Sequence, residues 1–138
     1  MNVFSKLKDK KILLIDDDEW IRDAMHIFLE TENCKITTLE TAEEALKMLH
    51  RHYYDIVICD YKLPGLSGLT FLKEVRQTQS DALTILITAY KTADLVAEAK
   101  KIGIHGFIAK PFTSETIEAA LSYLLAKQNM ATNEMKVN

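Results

Sequence analysis

Five short apolar runs alternate along this chain with stretches whose apolar residues recur at helical spacing. That alternation restricts the fold more than any other feature, because it is satisfied by a parallel sheet with helices on both faces. The runs are Lys11–Ile15, Lys35–Leu39, Tyr54–Cys59, Leu83–Ile87 and Phe107–Ala109. The first is apolar almost throughout, as a strand buried on both faces should be. Between the runs, Ile21, Ala24, Phe28 and Leu29 mark a helix over residues 18–31. Thr41 and Glu44 fit a capping box ahead of a helix with Ala42, Ala45, Leu46 and Leu49 on one face. Pro64-Gly65 breaks the chain, and Ser67 caps a third helix facing inward through Leu69, Leu72 and Val75. Residues 92–101 form a fourth helix stopped by Gly103. Thr113 or Ser114 opens a fifth, with Ile117, Ala120, Leu121 and Leu124 inward.

Right-handed crossovers leave few ways to connect such elements. One is the doubly wound five-stranded parallel sheet of order 2-1-3-4-5 with five helices. In it the first and third strands are neighbours where the winding reverses, and ligands bind beyond their carboxyl ends.

At 138 residues, 48% hydrophobic and 27% charged, the chain fits one domain. Residues 1–10 read as a lysine-rich lead-in, 11–127 as the domain, and 128–138 as a polar tail without periodicity. A net charge of −3 argues against direct nucleic-acid binding. No apolar run approaches the ~20 residues of a membrane span, and Met1 to Lys10 has no signal-peptide core. Cys34 and Cys59 match no metal or redox spacing, so a cytoplasmic chain with free thiols is expected. His26, His50, His52 and His105 are scattered and read as surface or edge residues.

The strand endings carry the chemistry. The first ends in Asp16-Asp17, the third in Asp60, the fourth in Thr88 and the fifth in Lys110. In the expected topology all of them share one edge of the sheet. Carboxylates crowded this closely resist ionising together and call for a cation or donors. An oxygen-rich set suits Mg²⁺, and a rim lysine offers a point charge to a phosphoryl group. Singly, each residue has a plainer reading: Asp18 as a helix cap, Asp60 as a turn residue, Thr88 as a strand-end hydroxyl, Lys110 as a solvated lysine. Their coincidence at one edge outweighs those readings.

The segments Ile-Leu-Leu-Ile-Asp-Asp-Asp, Cys-Asp-Tyr-Lys-Leu-Pro-Gly-Leu-Ser-Gly, Ile-Thr-Ala-Tyr and Ala-Lys-Pro-Phe resemble, in order and spacing, the receiver domain of bacterial two-component response regulators. The match covers residues 10–127. The resemblance implies a flavodoxin-like fold and a signalling switch with Asp60 as phosphoacceptor from a histidine kinase phosphohistidine. It implies that Asp17 binds Mg²⁺ directly, with Mn²⁺ as a substitute, and that Asp16 does so through a water. The Lys62 backbone carbonyl would complete the protein's share of the shell. Asp18 and Glu19 fall outside this pair and read as helix-start charges. Lys110 and Thr88 would hold phosphoryl oxygens, and Pro111 would follow Lys110 through a cis peptide bond. Phe107 takes the place of the family's switch aromatic. Burying one aromatic contributes about 1.5–3 kcal/mol, whereas reversing a 1:99 population needs about 5.5, so further contacts must share the switch. Lys62 and Tyr90 flank the site and are expected to tune the phosphate's lifetime.

The implied partners are a sensor histidine kinase or phosphotransfer protein. An effector or second copy would dock on the fourth helix, fifth strand and fifth helix, including Leu95, Lys101 and Tyr123. Output remains open among a stand-alone receiver, a relay intermediate and part of a longer regulator. An alternative is a Mg²⁺-dependent phosphohydrolase with an aspartyl nucleophile, although the usual acid two residues on is here Lys62. A flavodoxin-like FMN protein is disfavoured because Asp16, Asp17 and Asp18 would repel the cofactor's phosphate.

Overall fold

The strands β1 (Lys11–Ile15), β2 (Lys35–Leu39), β3 (Ile56–Asp60), β4 (Leu83–Thr88) and β5 (Gly106–Ala109) pair in the order β2-β1-β3-β4-β5. Every pairing is parallel. The computed structural model that shows this describes the backbone of residues 3–137 and the side chains of residues 3–130. β1, β3 and β4 lie inside the sheet and are buried nearly throughout, whereas the edge strands β2 and β5 are half-buried. This difference tracks the sequence: the three interior strands are the most continuously apolar.

Side-chain alternation along each strand splits the core in two. Ile12, Leu14, Ile56, Ile58, Ile85 and Ile87 face one layer, formed with Met25, Leu29, Ile117 and Leu121. Leu13, Ile15, Val57, Cys59 and Leu86 face the other, against Ala45, Phe71, Leu72, Val75 and Ala99. The layers comprise α1 (Val3–Leu7), α2 (Glu19–Thr31), α3 (Ala42–Leu49), α4 (Gly68–Thr78), α5 (Ala93–Ile102) and α6 (Ser114–Val137). Asp18, Thr41, Ser67 and Thr92 cap the starts of α2 to α5, each accepting a backbone N–H of the first turn. Gly103 ends α5 at φ 94°, where a side chain would be strained.

Among the described residues there are six helices where five were expected. Val3, Phe4 and Leu7 of the expected lead-in form a short helix and are buried, with Phe4 edge-to-face against Phe28 at 5.5 Å. One turn and a half is too short to be stable alone, so its docking on the core decides its conformation. At the other end α6 continues to Val137, so residues 128–137, expected as a polar tail, are helical. No Gly or Pro follows Pro111, and propagating an existing helix costs little even without an apolar stripe. Residues 1, 2 and 138 lie outside the described residues. Two facing assignments also change. Ala24 is exposed, with Met25 inward in its place, and Leu95 is buried under α5 rather than offered for docking.

The register positions the site. Ile15 pairs with Cys59, so Asp16 and Asp60 leave their strands side by side. Asp60 pairs with Ile87, placing Thr88 one step further out. Thr88 in turn pairs with Ala109, which puts Lys110 one step beyond that.

Candidate functional site

Asp16 and Asp60 are buried at the carboxyl edge, and Asp17 beside them is exposed. Carboxylate oxygens of all three lie within 4.8 Å of one another. Lys110 reaches in from the end of β5, its Nζ 3.1 Å from Asp16 Oδ2 and 3.2 Å from Asp60 Oδ2. The Lys110–Pro111 peptide bond is cis.

Asp16 is held from several sides. Its Oδ1 accepts the Asp18 N–H at 2.9 Å, and its backbone carbonyl accepts from Arg22 Nη1 at 2.8 Å. Its buried Oδ2, though at ion-pair distance from Lys110, has no aligned hydrogen-bond donor. A buried anionic oxygen in that state costs free energy and favours a further cation. Asp18 turns away as the cap of α2, accepting the Trp20 N–H at 2.9 Å, with Glu19 in the first turn behind it. The run of four acids is therefore divided between a site and a helix start.

The charges are mutually perturbed. Burial, then the Asp16 carboxylate, push Asp60 from 3.8 up to about 6 against the opposing pull of Lys110. Burial also raises Asp16, outweighing the Asp18 amide and Lys110. For Lys110, burial acts downward, but Asp16 and Asp60 together hold the ammonium above its ordinary value. A set of buried carboxylates with one lysine and a free buried oxygen fits a hard divalent cation.

The remaining expected residues surround this centre. Thr88 is buried, and its Oγ1 accepts the Tyr90 N–H at 3.0 Å. Tyr90 is 65% exposed, and Lys62 Nζ stands 5.8 Å from its ring centroid, so these two side chains meet at the mouth of the site. Phe107 is half-buried against the second core layer, with Lys91 Nζ 5.7 Å from its ring. Cys34 and Cys59 are free and buried. Of the histidines, His26 does have a carboxylate partner, Glu30 one turn on at 3.0 Å on the outside of α2, and His105 pairs with Thr84. Neither reaches the acidic edge.

One feature was not anticipated: Trp20 is 85% exposed and Ile27 66% exposed on α2. Seven residues apart, they share one face of the helix that begins at the acidic edge. The signal was present in the sequence, since Trp20 falls outside the inward pattern of that helix.

A family model described as the response regulator receiver domain matches residues 12–122. The sporulation initiation phosphotransferase F of Bacillus subtilis is 30% identical over 124 residues, covering 89% of this chain and 100% of that protein. The hydrogenase transcriptional regulatory protein HoxA of Cupriavidus necator is 33% identical over 109 residues, covering 78% of this chain but only 22% of its own length. A solved CheY-like response regulator receiver domain protein from Methanospirillum hungatei superposes with a TM-score of 0.80 at 25% identity, covering 91% of this chain and 98% of that one.

Proposed function

The chain belongs to the response regulator receiver domain family, whose members are phosphorylation-activated switches of two-component signalling, and we propose that Asp60 is its phosphoacceptor. The observation that carries this reading is the convergence of buried Asp16 and Asp60 with half-buried Lys110 where β1, β3 and β5 end. Receiver domains act with histidine kinases or phosphotransfer proteins. In this chain the Asp60 carboxylate attacks the phosphorus of a partner's phosphohistidine; an O–P bond forms, the N–P bond breaks, and the imidazole leaves. With Asp60 titrating at about 6, most of it is anionic at neutral pH, as a nucleophile must be.

Receiver domains bind Mg²⁺ at an acidic pocket, and Asp17 and Asp60, with Asp16 through a water and the Lys62 carbonyl, are the groups that would hold it here. Bound there, Mg²⁺ (or Mn²⁺) supplies positive charge against the phosphoryl oxygens. Lys110 pairs with the same oxygens from the β5 side. Thr88 already uses a lone pair on the Tyr90 N–H, which leaves its hydroxyl proton to donate to a phosphoryl oxygen. Movement of Thr88 toward that oxygen frees space beside Phe107, whose ring is half-buried and can turn inward. The Lys62–Tyr90 contact screens the acyl phosphate from water, and Tyr90→Ala should therefore shorten its lifetime.

Exposed Trp20 and Ile27 form an apolar rim suited to the phosphodonor, since exposed tryptophan is a frequent interface anchor. α5, β5 and α6, with Lys101 and Tyr123 exposed, are the surface for an effector or second copy. We place the chain in the cytoplasm; no helix among the described residues is long and apolar enough to cross a membrane.

The test is to incubate the chain and Asp60→Asn with Mg²⁺ and acetyl phosphate, then follow label and oligomeric state. Labelling of wild type alone supports the assignment. Equal labelling of Asp60→Asn removes it.

A further inference from the structure

The loop after the phosphoacceptor runs from Tyr61 to Ser67, between β3 and α4. Its ends are tied to the sheet edge: the Tyr61 N–H donates to the Ile87 carbonyl at 2.8 Å, and the Gly68 N–H to the Tyr61 carbonyl at 3.0 Å. Among the described residues, the middle of the loop, residues 62–66, makes one hydrogen bond to another element. It is the Leu66 N–H donating to Glu43 Oε2 of α3 at 3.3 Å.

Glu43 is free for this because its neighbour does the capping. Glu44 forms the reciprocal box with Thr41, accepting its hydroxyl at 2.9 Å and returning its own N–H at 3.1 Å. The carboxylate of Glu43 instead lies over Gly65, at φ 77°, where any Cβ would collide with it. The loop therefore closes onto Glu43 at a residue with a left-handed backbone, where a Cβ would push the Glu43 carboxylate aside.

We propose that Glu43 is a positioning residue for the metal and phosphoryl site, acting through the loop rather than touching the reacting atoms. The inference rests on the reading of Asp60 and Lys62 above. The clamp fixes the segment that follows Asp60, and with it the Lys62 carbonyl and the Lys62 side chain at Tyr90. Without it, the loop exchanges between arrangements, and only a fraction of molecules present the complete ligand set.

The test uses the full chain with Glu43→Ala and Glu43→Gln, the latter keeping an acceptor oxygen. Mg²⁺ affinity is measured by calorimetry and the Leu66 amide by hydrogen exchange. For Glu43→Ala we expect a 3- to 10-fold weaker Mg²⁺ affinity, faster exchange at Leu66 and little change in Tm. Glu43→Gln should recover most of the affinity. Wild-type affinity in Glu43→Ala, or a Glu43→Gln as weak as Glu43→Ala, overturns the proposal. If wild type itself binds no Mg²⁺, or binds it equally with Asp17→Asn, the reading of the acidic site fails and the clamp fails with it.

Discussion

In metal-free buffer, Asp60→Asn should stabilise the fold, and only above the pH where Asp60 ionises. The carboxyl is lifted from 3.8 to about 6, chiefly by burial and by Asp16. At 1.36 kcal/mol per pH unit, the buried anion is disfavoured by about 3 kcal/mol relative to the unfolded chain. Asparagine removes that charge, and the opposing pull of Lys110, 3.2 Å away, is already contained in the shift. The net gain at pH 7.5 is therefore about 2–3 kcal/mol, a large share of a typical domain's stability. The sign follows from a folded value above the unfolded one. The contribution of Asp60 is most favourable below pH 3.8 and is lost as the pH rises through about 6. Wild type should thus weaken from pH 4 to 7.5 through this group, and the variant should lack that part of the slope. Urea unfolding of both proteins at pH 4, 6 and 7.5, with chelator present, measures the difference directly. A gain of equal size at all three values, or a loss at pH 7.5, would show that electrostatic strain at Asp60 is not the cause.

Three further outcomes are expected. Gly68→Ala should cost about 2 kcal/mol or more by denaturation and should slow labelling of Asp60, because a Cβ there meets the Asp60 carbonyl and lies 3.1 Å from Tyr61 Cα, backbone that cannot move aside. Phe4→Ala should cost about 2–4 kcal/mol, since Phe4 is buried against Phe28; a change below about 0.5 kcal/mol would mean that α1 is not part of the folded core. Trp20→Ala should leave stability within about 0.5 kcal/mol, the ring being 85% exposed, and leave labelling by acetyl phosphate unchanged. It should slow transfer from a histidine-phosphorylated donor, and a wild-type rate from that donor would exclude Trp20 from docking.

The sequence alone determined the strand-helix alternation and from it the parallel sheet, and it narrowed the strand order to a few arrangements, among them the observed one. These follow from local information, the period of apolar residues and the residues that stop them. It also identified the residue types at the strand ends, because a carboxylate, hydroxyl or lysine closing an apolar run stands out against its neighbours. Four of the five main helix starts were legible for the same reason, since Asp18, Thr41, Ser67 and Thr113 act on amides only a few positions away.

Tertiary structure alone decided which of those groups meet and at what protonation cost. Asp16 and Asp60 are 44 positions apart in sequence, and register brings them to the same lysine. Burial, a property of the whole packed domain, is what raises Asp60. The short helix at Val3–Leu7 and the contact of Glu43 with Leu66 were invisible for a related reason. Neither is stable or meaningful locally; each exists because a distant surface is held in place to receive it. The acidic run beginning at Asp16 shows both sources of information at once. Its second half is a helix start that the chain specifies locally, and its first half becomes a site only when β3 and β5 arrive beside it.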